Sequence, residues 1–297
     1  MELNKIYQGN SLEVLKTFPD ESVNCVVTSP PYWGLRDYGV EGQLGLEKTP
    51  DEYVANMVAI FREVRRVLKS DGTLWLNLGD SYGSGNRKTQ ESQTVANGNR
   101  QDLPIERGKQ GFSKQLIGIP WRVAFALQSD GWCLRQDIIW HKPNPMPESV
   151  KDRCTKAHEY VFLMSKSPKY YFDNGAIKEP TVTKDNSNRN RDITKLNNVP
   201  GRTRMAGLKT NNYELRNKRD VWTITTKPYR EAHFATFPEK LIEPMILAGC
   251  PKEGVVLDPF IGAGTTAVVA KKQGKNYVGI ELNPAYIKIA EDRIHNG

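Results

Sequence analysis

The sequence predicts an α/β fold built on a largely parallel sheet, and three observations carry that reading. Apolar runs of strand length alternate with stretches of helical period along most of the chain. Val255-Val256-Leu257 leads into a glycine turn, Gly262-Ala263-Gly264, that opens a helix, and a second short strand ends on Glu281. Near the amino terminus, Ser22-Val23-Asn24-Cys25-Val26-Val27 is an apolar strand that stops at a polar, proline-rich turn spanning 28–32.

Taken in order, the next element is a helix opened by Thr49-Pro50-Asp51-Glu52. Threonine caps it, proline suits the first helical position, and the acids complement the positive end of the dipole. Tyr53, Val54, Met57, Val58, Phe61, Val64 and Leu68 make one apolar face, and Asp71-Gly72 is expected to end it. Residues 73–78 form the next strand. Residues 81–112 carry Gly83, Gly85, Gly98, Gly108 and Gly111 with little apolar content, a long loop of the kind that is functional or disordered. A helix is expected over 119–127, then strands over 132–140, 158–164, 170–172 and 221–224. A helix over 238–248 contains Pro244, which should kink or break it. The carboxy-terminal block closes with a strand at 255–257, a turn and helix over 262–272, a strand at 277–280 and a helix over 284–294.

At 297 residues, 38% hydrophobic and 26% charged, the chain is long enough for one large domain or two small ones. No apolar run approaches the roughly 18 residues that a membrane-spanning helix needs. The amino terminus is mixed in charge with no apolar stretch behind it, so no secretory signal is expected. Cys25, Cys133, Cys154 and Cys250 are too far apart for a zinc knuckle and too few for a disulfide scaffold. The expectation is a reduced, cytoplasmic protein with no metal site and no membrane association.

Lysine and arginine number 42 against 34 acids, for a net charge of +8, which favours a polyanionic partner. The excess is concentrated. Residues 184–219 hold ten basic side chains and three acids, together with eight asparagines and almost no apolar periodicity. Arginine pairs well with guanine and phosphate, and asparagine can pair bidentately with adenine. A solvated linker is the other reading of such a segment.

Two motifs carry chemistry. In Asp258-Pro259-Phe260-Ile261-Gly262-Ala263-Gly264-Thr265-Thr266, glycines let the backbone approach a ligand, and Glu281, 19 residues after Gly262, is placed to hold ribose hydroxyls. Ala267 stands where a dinucleotide fingerprint has its third glycine or alanine, so spacing alone leaves a nicotinamide cofactor open. Asp258 suits a cationic ligand better than a diphosphate. The second motif, Thr28-Ser29-Pro30-Pro31-Tyr32-Trp33, lies at the carboxyl end of a strand, where open α/β sheets bind ligands. Its prolines remove two N–H donors and leave carbonyl acceptors beside the Ser29 hydroxyl. Such a group can accept both hydrogens of an exocyclic amine and turn the nitrogen lone pair toward an electrophile, while Tyr32 offers a face for stacking.

At these residues the sequence resembles the amino-group DNA methyltransferases that use S-adenosylmethionine, whose hallmark is an S/D/N-P-P-Y/F/W motif. The resemblance extends over most of the chain, through Leu78-Gly79-Asp80-Ser81, Trp140-His141-Lys142-Pro143-Asn144-Pro145 and His233-Phe234-Ala235-Thr236-Phe237-Pro238. Catalytic motif, basic segment and cofactor loop follow in the permuted order of the β group. The resemblance implies a Rossmann-like mixed, mostly parallel sheet with helices on both faces, the permuted class I methyltransferase fold, plus an inserted DNA-recognition segment. Residues 1–173 would be the catalytic half, 174–219 the basic target-recognition insertion and 220–297 the cofactor-binding half of the same domain.

It further implies catalytic roles for Ser29, Pro30, Pro31 and Tyr32. The S-adenosylmethionine site would draw on Asn10, Thr236, Phe237, Asp258, Phe260, Gly262, Gly264, Thr265, Thr266 and Glu281. Asn10 stands where many relatives carry an aspartate near the cofactor adenine. Contacts to double-stranded DNA are expected from Arg189, Arg191, Arg202, Arg204, Lys209 and Arg216, and a cognate restriction enzyme is a partner the resemblance allows. Serine before the prolines is associated in this family mainly with cytosine N4, and aspartate with adenine N6. Three other readings stay open: a protein-glutamine methyltransferase, whose similar motif has asparagine in place of Ser29; a nicotinamide oxidoreductase; and a non-catalytic DNA-binding scaffold.

Overall fold

A computed structural model describes residues 1–83, 112–181, 214–226 and 237–296. Ten strands are present among these: β1 (Lys5–Gln8), β2 (Val23–Thr28), β3 (Leu68–Leu78), β4 (Cys133–His141), β5 (His158–Ser165), β6 (Glu179–Pro180), β7 (Leu215–Arg216), β8 (Val221–Thr223), β9 (Val255–Asp258) and β10 (Asn276–Glu281). The helices are α1 (Ser11–Lys16), α2 (Pro50–Val67), α3 (Ile119–Ser129), α4 (Glu239–Gly249), α5 (Thr265–Lys272) and α6 (Pro284–Asn296). Eight strands form one sheet in the order β1-β10-β9-β2-β3-β5-β4-β8. Only β5 runs against the rest, so the sheet is mixed and mostly parallel, as the sequence predicts.

Alternation along the strands builds a core on each face. Val26, Leu74, Leu76, Leu257 and Val278 pack toward the side that carries α1, α2 and α3. Cys25, Val27, Trp75, Val256 and Tyr277 pack toward the side of α4 and α5. Helix α2 opens with the capping box read from the sequence: Glu52 N donates to Thr49 Oγ1 at 3.1 Å, and Thr49 N donates to Glu52 Oε2 at 3.3 Å.

Three local expectations are corrected. The chain leaves α2 at Val67 and is already extended from Leu68, ahead of Asp71-Gly72, because Leu68 pairs in register with Val23 of β2. Residues 170–172 are not a strand. Tyr171 N donates to Asp71 O and Asp173 N to Ala248 O, and Phe172 stacks on Trp75 with ring centroids 6.2 Å apart. That short aromatic run covers the sheet without joining it. Of the kink or break expected at Pro244, the break does not occur, since helix α4 runs through it from Glu239 to Gly249. A proline costs about 3 kcal/mol in a helix interior, and burying Leu241, Ile242, Met245 and Ile246 at about 1.5–3 kcal/mol each outweighs it.

The sequence reading also left out β1 and α1, which add to the β10 edge. Spatially the two ends of the chain interlock, since β1 lies beside β10 while β8 closes the opposite edge.

Candidate active site

The connection from β2 leads to β3 and the one from β9 to β10, in opposite directions across the sheet. Between the carboxyl ends of β2 and β9 this divergence opens a crevice, the place where open α/β sheets bind their ligands. Two short hydrogen bonds fasten its sides together. Thr28 Oγ1 donates to Asp258 Oδ1 at 2.6 Å, and Ser11 Oγ donates to Pro259 O at 2.6 Å. The cavity here measures about 170 Å³. One water needs roughly 10–15 Å³ on this measure, so the cavity suits a molecule of many atoms.

Glu281 ends β10 on the cavity wall. Its Oε2 accepts from Gly262 N at 3.0 Å and its Oε1 from Asn283 N at 2.8 Å. Each oxygen keeps lone-pair capacity toward the cavity, which matches a ligand offering two adjacent hydroxyl donors. Burial pushes the carboxyl upward from its ordinary range, and the backbone N–H groups oppose this. Asn10, Phe237, Phe260, Gly262 and Thr265 lie on the same wall. Asn10 also caps α1, its Oδ1 accepting from Leu12 N at 3.0 Å.

Asp258, Gly264 and Thr266 stand behind the wall and do not line the cavity. Asp258 is 1% exposed and accepts from Thr28 Oγ1, Phe260 N and Thr266 Oγ1. Burial lifts its carboxyl to about 6, against the three hydrogen bonds that favour the charged form. Gly264 has φ +80°, and a Cβ there would meet Ala290 Cβ at 2.8 Å, so it is the contact through which the loop packs on α6. Thr236 lies outside the described residues.

Sequence reasoning missed the opposite wall. Tyr38, Val40, Gln43 and Leu44, from the connection between β2 and α2, line the cavity with Tyr286 of α6. The glycines at 39, 42 and 45, each with positive φ, were the signal that this connection turns tightly.

Ser29 and Pro31 line the cavity as well, which brings the proline turn and the glycine loop to one space. The Pro31 carbonyl accepts from Tyr53 Oη at 2.8 Å. Ser29 Oγ is thus an acceptor of the turn on a residue that lines the cavity, while Pro30 is buried and does not line it. Tyr32 is half-buried, with its hydroxyl 2.8 Å from Glu159 Oε2, 3.2 Å from Asn77 Oδ1 and 3.3 Å from Ser29 Oγ. Burial, with the Glu159 charge adding to it, holds the Tyr32 proton well above the ordinary phenol range. A Cβ at Gly79 would lie 2.5 Å from Tyr32 Cε2, so glycine there makes room for the ring.

Asp80 is a helix cap: Oδ1 accepts from Gly118 N at 3.0 Å and Ile119 N at 3.1 Å at the start of α3. Glu159, which sequence reasoning left without a role, meets Asn77, Tyr32 and Lys142.

Of the expected DNA contacts, Arg189, Arg191, Arg202, Arg204 and Lys209 lie outside the described residues. Arg216 pairs with Glu179 at 3.0 Å, across the small β6–β7 ladder. Asn174 Nδ2 donates to Asn217 Oδ1 at 2.8 Å, and Thr181 N donates to Glu214 O at 3.0 Å. Residues 174–181 and 214–217 are therefore clasped to each other. Among the described residues no three His, Cys, Asp or Glu side chains converge as a metal site would require, and no helix is long and apolar enough to cross a membrane.

Comparison with known proteins decides the family. The model of the DNA methylase family matches residues 23–292. The chain is 47% identical to the Type II methyltransferase M.Cfr9I of Citrobacter freundii, over 99% of this chain and 89% of that protein. The chain belongs to the DNA methylase family. This methylase is also 46% identical to the Type II methyltransferase M.SmaI of Serratia marcescens, over 98% of its own length and 90% of the relative. In fold it matches the PvuII cytosine-N4-specific DNA methyltransferase with a TM-score of 0.65 at 22% identity, covering 99% of this chain and 86% of that one. The M1.HpyAVI structure solved with S-adenosylmethionine matches with a TM-score of 0.56 at 16% identity, covering 98% of both chains. The enzyme is thus a DNA methyltransferase with the class I methyltransferase fold.

Proposed function

We propose that this methyltransferase methylates the exocyclic N4 amine of cytosine in duplex DNA, with S-adenosylmethionine as methyl donor. One observation carries the reading: Ser29 and Glu281 face the same cavity. On this reading Ser29 is the acceptor for an amine and Glu281 the receptor for a ribose, and their shared cavity supports it. When bound, S-adenosylmethionine supplies a sulfonium-activated methyl group that needs no metal. Glu281 would hold the ribose hydroxyls, and Phe237, Phe260 and Gly262 would pack along the rest of the ligand.

The target base leaves the duplex to reach Ser29, at a cost of a few kcal/mol that stacking and edge contacts offset. Tyr32 presents its ring to the base, while Ser29 Oγ accepts from the amine and holds the nitrogen lone pair toward the donor. The methyl group would pass from the sulfonium to the nitrogen as the sulfur–methyl bond breaks, leaving a neutral thioether, and the methylated amine would then give its extra proton to solvent. Proximity and orientation supply most of the acceleration. The relatives' Type II designation makes a restriction enzyme of the same site the expected partner.

Serine in the Ser29-Pro30-Pro31-Tyr32 motif favours cytosine N4, as does the cytosine-N4-specific fold relative. Adenine N6 is the alternative, since its amine needs only the same acceptor. Asparagine, the mark of the protein-glutamine enzymes, is absent at position 29. Site recognition is assigned to residues 174–219 and their arginines, between a catalytic part at 1–173 and a cofactor part at 220–297. Methylome sequencing of cells expressing the protein tests the reading. It should yield N4-methylcytosine at one short sequence, and N6-methyladenine there would select the alternative.

A further inference from the structure

We propose that Asn77 and Glu159 are positioning residues that set the hydroxyl protons of the catalytic turn, so that Ser29 meets the target amine as an acceptor. The inference rests on the proposed role of Ser29 toward that amine. A serine hydroxyl can donate or accept. A Ser29 proton turned into the cavity would confront the N–H groups of the base and forfeit the interaction that aims the lone pair.

The network decides the matter by counting protons. Asn77 Nδ2 reaches the Tyr160 carbonyl at 3.0 Å and Glu159 Oε2 at 3.2 Å. Both partners are acceptors only, which fixes the amide: its nitrogen faces them and its oxygen faces the catalytic turn. Asn77 Oδ1 then lies 3.1 Å from Ser29 Oγ and 3.2 Å from Tyr32 Oη and can only accept. Tyr32 has one proton, and its shortest partner is the Glu159 carboxylate at 2.8 Å. A charged acceptor makes the stronger bond, so the Tyr32 proton is committed to Glu159. The other Glu159 oxygen is held by Lys142, whose ammonium also lies over the Trp140 ring at 4.2 Å.

With the Tyr32 proton committed, the Ser29 proton points inward, to Asn77 Oδ1 or to the Tyr32 oxygen. Both positions turn it away from the cavity, and Ser29 presents lone pairs there. Five side chains, Ser29, Tyr32, Asn77, Glu159 and Lys142, thus act together from β2, β3, β4 and β5 and their ends, and the last three act on the base only through the first two.

Glu159→Gln changes the proton count while keeping the shape. Lys142 retains the amide oxygen, which turns the amide nitrogen onto Tyr32 Oη and Asn77 Nδ2. The Tyr32 proton then turns to Asn77 Oδ1 and shares that acceptor with the Ser29 proton, which weakens the hold on Ser29. Asn77→Leu removes the nearer of the two inward acceptors of the Ser29 proton, leaving only the Tyr32 oxygen at 3.3 Å, and leaves Glu159 its Lys142 and Tyr32 partners. Each should lower the single-turnover methyl-transfer rate about tenfold, a hydrogen bond's worth, while S-adenosylmethionine affinity stays within about twofold.

The decisive readout is the same pair of substitutions in a Ser29→Ala background. With no hydroxyl to orient, either should slow transfer by less than about twofold more, a non-additivity that a merely structural role would not produce. Wild-type rates for both variants, or an undiminished cost in the Ser29→Ala background, would overturn the inference. A full rate for Ser29→Ala alone would instead remove the reading of Ser29, and this inference with it.

Discussion

Removing the Glu281 carboxylate tests the cofactor assignment, and the structure says how large the effect should be. Each carboxylate oxygen already accepts one backbone N–H, from Gly262 at 3.0 Å and from Asn283 at 2.8 Å. In the proposed complex the same oxygens accept the ribose hydroxyls. A hydrogen bond to a charged group is worth about 1.5–3 kcal/mol, and each 1.4 kcal/mol is about tenfold in affinity. Glu281→Gln leaves one oxygen and should weaken S-adenosylmethionine about tenfold, whereas Glu281→Ala should weaken it about a hundredfold or more.

The alanine variant also strips a partner from two partly buried backbone N–H groups, so it should unfold more easily by about 1–3 kcal/mol. Titration calorimetry with S-adenosylmethionine, alongside urea unfolding, reads both effects. A folded Glu281→Ala protein that binds with unchanged affinity would refute the assignment.

Gly79→Ala should push the Tyr32 ring out of place and slow methyl transfer while sparing cofactor affinity, read by single-turnover kinetics against calorimetry. Gly264→Ala and Gly274→Ala both place a side chain at positive φ, a strain of about 1–2 kcal/mol. Only the first also drives a Cβ into Ala290, so it should cost about 1–3 kcal/mol more in urea unfolding. Asp258, lifted to about 6 by burial, binds its proton more tightly in the folded protein than in the unfolded chain. Its contribution to stability is therefore present at low pH and declines as pH rises from about 4 to about 6; Asp258→Asn should gain on the wild type across that window by on the order of 2–3 kcal/mol. Exchanging residues 174–219 with those of a relative of different specificity should move the methylated site, as methylome sequencing would show. A site that followed residues 81–112 instead would transfer recognition to that loop.

The sheet was legible because its strands are short apolar runs set between helical periods, and the capping box at Thr49 and the turn at Gly262 carry their own local chemistry. Strand β1 was not, since Ile6 and Tyr7 are its only apolar residues and the pairing with β10 bridges some 270 positions. The reversal of β5 is likewise set by its neighbours β3 and β4, not by its own composition.

Within the site, spacing identified the glycine loop but could not separate wall from support. Glu281 reaches the cavity, while Asp258, in an equally conspicuous motif, spends its lone pairs on Thr28, Thr266 and Phe260 N. Glu159 and Asn77 had no signature at all. Asn77 meets Ser29, and Glu159 meets Tyr32, only because β2, β3 and β5 are neighbours in the sheet. Pro244 shows the converse, where a strong local rule yields to the apolar face on either side of it.

The central claim is that Ser29 presents a cytosine N4 amine to the methyl donor. It is tested most directly by incubating the purified enzyme and duplex DNA with S-adenosylmethionine labelled in its methyl group, then digesting the DNA to nucleosides. The account predicts label in N4-methylcytosine, with Ser29→Ala sharply reducing the rate at which it appears. Label in N6-methyladenine, or an undiminished rate for the Ser29→Ala protein, would contradict it.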